Sequence, residues 1–353
     1  RGPSAKPVRL RHGLATVLGE IPKSGRLMFR SRPTHLPKKG CGHLMPIREL
    51  LINAVERHRC EAILLSGGLD TSIVAALAAP RGLRLAVTVA VGDAPDLPYA
   101  TEIAARLGLE HVVVRRTLAE LAAALPALIE VIGSFDGMFL RNDVVVYEGL
   151  GEVARRGARR CWTGDAADEL FAGYSFMFRK PPREIEQTVR HFAKTMRFNG
   201  PRIGEALGVG VHSPYVDPAV VELATRLSGE ELVLDRDGTR LGKAPLRRAF
   251  DAELGERHAY RTKDPIEIGS GATALGPHVA MGLETVLATE AARILAEDRV
   301  RIRDAEHLAY YRMYREVFGG PPRVDLSQPK ECPGCHARGP EGTYCTVCGA
   351  YPI

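Results

Sequence analysis

Short apolar runs rich in β-branched and small residues alternate with helical stretches through the first half of the chain. "CEAILLS" (60–66) precedes a helix predicted over about 71–79, and "LRLAVTVAV" (83–91) precedes "PYATEIAARLG" (98–108). "EHVVVRR" (110–116) precedes "LAELAAALPALIEVIG" (118–133), and a helical stretch around 141–157 leads to a fourth run in "RRCWTGD". Strands apolar on both faces and separated by helices predict an α/β fold, a parallel sheet flanked by helices. Such sheets bind ligands at the carboxyl ends of their strands. From about 183 the pattern is mainly helical and broken by Pro and Gly, and "GGPPRVDLSQPKE" (319–331) reads as a linker. The expected domains are 1–44, 45–325 and 326–353.

Composition narrows the class. At 353 residues and 45% hydrophobic content the chain can bury a proper core. No run of about 18 apolar residues offers a membrane span, and "RGPSAKPVRLRHG" lacks the apolar segment of a secretory signal, which predicts a cytoplasmic protein with no membrane partner. The net charge of +6 is local: residues 1–40 carry ten Lys or Arg against Glu20 alone. That arm suits a polyanion, or is a solvated extension. Cys41, Cys60 and Cys161 are scattered, whereas Cys332, Cys335, Cys345 and Cys348 form C-x2-C-x9-C-x2-C. Two such knuckles place four thiolates around Zn²⁺ with no open position, which predicts a structural zinc ribbon in a reducing compartment. His336 is surplus to that set.

The stretch "SGGLDTS" (66–72) carries the chemistry. Gly67 and Gly68 let the backbone bend close to an anion, and Ser66, Thr71 and Ser72 add hydroxyls at the start of a helix whose free N–H groups attract phosphate. Asp70 would repel a bare phosphate, so it implies a divalent cation, most simply Mg²⁺, between carboxylate and phosphate oxygens. The spacing is not GxxxxGKS/T, the common nucleotide loop.

These residues resemble the ATP-pyrophosphatase (PP-loop) family, and within it the synthetase domain of glutamine-dependent asparagine synthetases and their β-lactam synthetase relatives. "IRELLINAVERHRCEAILLSGGLDTSIVAAL" (47–77) looks like the entry helix, strand and pyrophosphate loop. "TGDAADELFAGY" (163–174) looks like (S/T)G(E/D)GADE(I/L)FGGY, with weaker matches in "SPYVDPAVVELA", "GKAPLRRAF", "YRTKDPIEIGSGA" and "AEHLAYYRMYREVFG". The resemblance implies an adenine nucleotide α-hydrolase-like sheet followed by a mainly helical region. It implies ATP and Mg²⁺, a substrate carboxylate activated as an acyl-adenylate with release of pyrophosphate, and an amide formed with ammonia or an amine.

Residue by residue, it implies that Asp70 and Asp168 hold Mg²⁺ and that Leu65, Val89, Thr163 and Gly164 contact the adenosine portion. Lys243 and Lys263 would face the phosphates and the reacting centre. Asp165, in a slot where asparagine synthetases have an acid and β-lactam synthetases a tyrosine, would take a proton from the amine. Asp136 and Arg141 would contact substrate. The family's glutaminase has no counterpart here, and "GLATVLGEIPKSGRLMFRSRP" (13–33) reads at most as a two-strand remnant turning at Pro22–Gly25. The nitrogen donor is then free ammonia, a substrate amine or a separate glutaminase subunit. Two other functions stay open: a tRNA-modifying pyrophosphatase that grips RNA with the arm and ribbon, and a non-catalytic nucleotide-binding scaffold. The ribbon itself suits a protein contact as well as tRNA.

Overall fold

The structure is a computed structural model and describes residues 44–262, 264–323, 328–339 and 344–353. The expected hairpin at 13–33, nearly all of the basic arm, Cys41 and Lys263 lie outside the described residues.

Five parallel strands form the sheet: β1 (Ala62–Leu64), β2 (Leu85–Val91), β3 (Glu110–Arg116), β4 (Arg160–Trp162) and β5 (Gly210–His212), in the order β3-β2-β1-β4-β5. Side-chain alternation divides the core between the two faces. Ile63, Leu65 and Ala86 join one cluster with Ile47, Leu51, Ile73 and Val74 of α1 (Leu44–His58) and α2 (Leu69–Ala78). Ala62, Val87, Val89 and Val91 join the other, with Leu121 and Leu125 of α4 (Leu118–Ile132) and Leu140 and Val144 of α5 (Gly137–Arg155). Helix α3 (Leu97–Arg106) completes the crossover from β2 to β3.

Local chemistry sets the helix ends. Thr117 and Glu120 close a capping box on α4, Gly133 ends it at φ +65°, and the Asp136 carboxylate caps α5 by accepting from the Met138 N–H. Because β1 hands the chain to β2 on one side while β4 returns on the other, the sheet changes direction between β1 and β4. That crevice, outside the carboxyl ends of the two strands, is where ligands of open α/β sheets sit. The helix Ala244–Leu254 packs against α1 and α2 and brings its N-terminus there. Among the described residues no single helix is long and apolar enough to cross a membrane.

The cysteine-bearing tail is seated on the α/β body. The Phe135 N–H (2.8 Å) and Ser134 hydroxyl (3.1 Å) donate to the Val347 carbonyl, and Arg303 donates to the Cys348 carbonyl at 2.8 Å. All four tail cysteines are buried in the cluster that holds Phe135, Tyr311 and Tyr314.

Candidate active site

The pyrophosphate-type loop links β1 to α2. Gly68 precedes α2 in extended geometry with no side-chain cap, so the helix N-terminus keeps free N–H groups. Ser66 and Thr71 hydroxyls lie 3.0 Å apart, the Ser66 N–H donates to Thr71 Oγ1 (3.2 Å), and the Gly68 N–H donates to Ser66 Oγ (3.2 Å). The Ser72 hydroxyl is buried and makes no hydrogen bond with the described residues, an orphaned donor of the kind that marks a ligand position. Leu65 immediately follows β1, its carbonyl accepting from Thr88 Oγ1 at 2.6 Å, and Val89 is buried on β2 beside α5.

The acidic turn after β4 meets this loop directly. Gly164 approaches so closely that an added Cβ would lie 3.0 Å from the Asp70 Cβ and 3.1 Å from the Thr71 methyl. Asp168, in the first turn of α6 (Ala167–Leu170), then shares one partner with Asp70: Lys243 Nζ is 2.5 Å from Asp70 Oδ2 and 2.8 Å from Asp168 Oδ1. Lys243 is 1% exposed and immediately precedes the helix Ala244–Leu254, with its N–H donating to the Phe171 carbonyl at 2.7 Å. A side chain at Gly173 would collide with Asp168 Oδ1 and Lys243 Cε, so only glycine lets this turn close over the triad. Burial alone would lower the Lys243 ammonium, but the charges of Asp168 and Asp70 outweigh it and hold its pKa above the ordinary lysine value. Two carboxylates converging on one cation at the switch point fit a magnesium position: hard oxygen donors, partly open, beside a helix N-terminus.

The family model described as asparagine synthase matches residues 46–199 and 187–318. This chain belongs to the asparagine synthase family. Among its relatives is the glutamine-hydrolysing root asparagine synthetase of Pisum sativum, 27% identical over 279 residues, covering 72% of this chain and 47% of the relative. Asparagine synthetase B of Escherichia coli K12 is 26% identical over 249 residues, covering 64% and 45%. The chain thus spans about half the length of the curated relatives it matches. Among solved structures it resembles NMN synthetase from Francisella tularensis (13% identity, TM-score 0.37, covering 78% of this chain and 92% of that one). It also resembles NH3-dependent NAD synthetase from Campylobacter jejuni (15%, 0.34, covering 80% and 97%).

Two positions depart from the glycines of the motif that "TGDAADELFAGY" resembles. Ala166 and Ala172 sit at φ +76° and +55°, left-handed conformations that cost an L-residue with a Cβ. Ala166→Gly and Ala172→Gly are each expected to leave stability within about 1 kcal/mol of wild type, relief of left-handed strain offsetting the entropy of glycine and the loss of a buried methyl. Urea denaturation checks this; a loss of about 2 kcal/mol or more in both variants would show that the backbone is relaxed there.

Behind the turn, Asp165 accepts from Thr163 Oγ1 at 2.9 Å, and its own carbonyl accepts from the Ser213 hydroxyl at 2.7 Å. Burial raises its pKa. Asp143 of α5, which accepts from Asn199 Nδ2 at 2.6 Å, was not marked by any sequence motif. Burial, opposed by that hydrogen bond and reinforced by the charges of Asp165 and Asp136, pushes it up to about 7. A carboxyl raised above its unfolded value destabilises the fold when ionised: the cost is absent below about pH 4, grows towards pH 7 and is constant above. Asp143→Asn, which keeps an acceptor for Asn199, should therefore raise Tm by about 3–6 °C at pH 8 and hardly at pH 4. Equal shifts at both values would rule out ionisation as the cause.

Asp136 and Arg141, expected near substrate, hold other partners. Asp136 is 3% exposed, caps α5 and takes a hydrogen bond from Tyr344 of the tail. Arg141 is bound by Glu267 at 2.5 Å and by Glu306. The tail sulfurs of Cys332, Cys335, Cys345 and Cys348 lie within 4.8 Å of one another, with Cys332–Cys348 and Cys335–Cys345 each at 3.7 Å. A tetrahedron of Zn–S bonds needs about 3.8 Å between sulfurs. His336 instead contacts Glu331 at 2.7 Å. The remaining described cysteines are buried, and desolvation pushes Cys60 up to about 12, an inert thiol.

Proposed function

We propose that this chain is an ATP-dependent carbon–nitrogen ligase that adenylates a substrate carboxylate, releases pyrophosphate and transfers the acyl group to ammonia or an amine. The observation that carries it is the convergence of Asp70 and Asp168 on Lys243 beside the N-terminus of α2, supported by membership of the asparagine synthase family. Magnesium held by the two aspartates would neutralise triphosphate oxygens and the departing pyrophosphate.

The chain's own groups supply the rest. The free N–H groups of α2 and the Ser72 hydroxyl donate to phosphate oxygens, while Leu65, Val89, Thr163 and Gly164 flank the adenosine. The Lys243 ammonium stays charged and balances negative charge as it moves from phosphate towards the leaving group. Asp165, raised by burial, accepts a proton from the attacking amine more readily near neutral pH than an exposed aspartate that is already a weak base. For Lys263, which lies outside the described residues, only the family resemblance assigns a role at the reacting centre. The tail binds one Zn²⁺ structurally, and a cytoplasmic setting suits both thiolates and ATP. Relatives are named as glutamine-hydrolysing; for this chain ammonia, a substrate amine or a partner glutaminase provides the nitrogen.

The test is a screen of carboxylic acids, aspartate first, with ammonia, Mg²⁺ and ATP. The expected result is AMP and pyrophosphate in equal amounts with the amide product, from at least one acid. ATP cleavage to ADP, or none with any acid, argues against the proposal.

A further inference from the structure

Arg261 reaches the pyrophosphate loop from the chain's mainly helical region. Arg261 is 11% exposed; its Nη1 donates to the Gly67 carbonyl at 3.0 Å, its Nη2 pairs with the Asp96 carboxylate, and its guanidinium lies 3.9 Å above the Tyr99 ring. Asp96 is itself fixed, since its N–H donates to the Gly269 carbonyl at 3.0 Å and the Gly269 Cα packs against its carboxylate. On the other side the buried Arg247 donates to the carbonyls of Gly242 (2.8 Å), Ala259 (2.6 Å) and Arg261 (3.0 Å). Two arginines thus join the turn before Lys243 to segment 259–261, and that segment to Gly67.

We propose that Arg261 is a positioning residue that sets the orientation of the Gly67–Gly68 peptide and thereby the entry of the loop into α2, whose first N–H groups would bind phosphate; this rests on the pyrophosphate-loop assignment above. In a trans peptide the C=O and N–H point in opposite directions. With the Gly67 oxygen held by Arg261, the Gly68 N–H must face away, where it meets Ser66 Oγ at 3.2 Å. A Gly-Gly peptide would otherwise flip at little cost, because neither residue has a Cβ to bias φ. Gly67 sits at φ +75°, and a Cβ there would lie 2.5 Å from the Ala100 nitrogen and 2.7 Å from the Asp96 oxygen, so the loop is pressed against the start of α3 on its far side. The role demands arginine: a planar fork donates at once to a carbonyl and a carboxylate while stacking on an aromatic face, which a lysine ammonium cannot do.

The experiment compares Arg261→Met, Arg261→Lys and Asp96→Asn with wild type by calorimetric titration of Mg·ATP and of adenosine, and by amide hydrogen exchange over residues 66–72. Both Arg261 variants should weaken Mg·ATP about tenfold while adenosine affinity stays within about twofold, and loop exchange should quicken about tenfold. Asp96→Asn should fall between them and wild type. Merely structural damage would weaken adenosine and ATP alike, and that outcome, or Mg·ATP affinity and loop exchange unchanged in Arg261→Met, overturns the proposal. If Arg261→Met fails to fold, Arg261→Lys and Asp96→Asn decide by the same criteria. A wild-type chain that binds no Mg·ATP sinks the ligase assignment instead, and the exchange rates then decide on their own whether Arg261 orders the loop.

Discussion

Asp168→Asn is expected to reduce pyrophosphate release on the order of a thousandfold or more while leaving the far-UV circular dichroism unchanged. Asparagine matches the shape of aspartate and can still accept from Lys243, and Asp70 remains 2.5 Å from the same ammonium, so the buried lysine keeps a counter-ion. What changes is charge. Asp70, Asp168 and Lys243 together carry one net negative charge, which a divalent cation converts to a net positive site facing the phosphates. With asparagine the trio is neutral, and a hard cation that prefers anionic oxygen loses one of its two protein carboxylates. Asp70→Asn should behave alike, because the two aspartates approach the same nitrogen from neighbouring strand ends. The measurement is coupled detection of pyrophosphate across a Mg²⁺ titration. More than a tenth of wild-type turnover in either variant at saturating Mg²⁺ would remove the metal assignment.

Much of the scaffold is readable from hydrophobic spacing. Strand β3 falls on the expected 110–116, and β1, β2 and β4 lie within their apolar runs; the interior β2, buried at every residue, is apolar but for Thr88. β5 escapes notice: it is three residues long, on the sheet edge and half-exposed, so "GVH" carries neither length nor alternation. The meeting of the loops at Asp70 and Asp168 was legible because each sits just beyond a strand and the two strands are neighbours. The resemblance marks Lys243 as facing the phosphates, but that it lies between the two aspartates was not legible, since no spacing rule reports which acids a lysine meets once the fold buries it. Arg261 and Arg247 act through backbone carbonyls far away in sequence, and no spacing rule reports such partners. Asp136 likewise has a partner that no motif reports, the Tyr344 hydroxyl of the tail.

That tail should be necessary to the body. If the four thiolates hold the proposed zinc, a strong chelator under reducing conditions, or replacement of Cys345 by serine, is expected to lower Tm by about 10 °C. Four thiolates without a metal repel one another in a buried cluster, so the knuckles open. Opening them withdraws the Val347 carbonyl from the Phe135 N–H and the Ser134 hydroxyl and Tyr344 from Asp136, at the turn from α4 into α5, and the Cys348 carbonyl from Arg303, just before the helix Ala305–Phe318. It also uncovers Phe135, whose ring lies 5.1 Å from each of His307, Tyr311 and Tyr314. Burial of a few such aromatic and aliphatic side chains is worth several kcal/mol, and a chain of this size loses a few degrees per kcal/mol. Elemental analysis should find about one zinc per chain, and thiol titration should find the four tail cysteines reactive only after chelation. A chelated chain that holds its Tm, or a metal-free tail whose thiols stay protected, would mean that packing alone closes the knuckles and that no zinc is needed there.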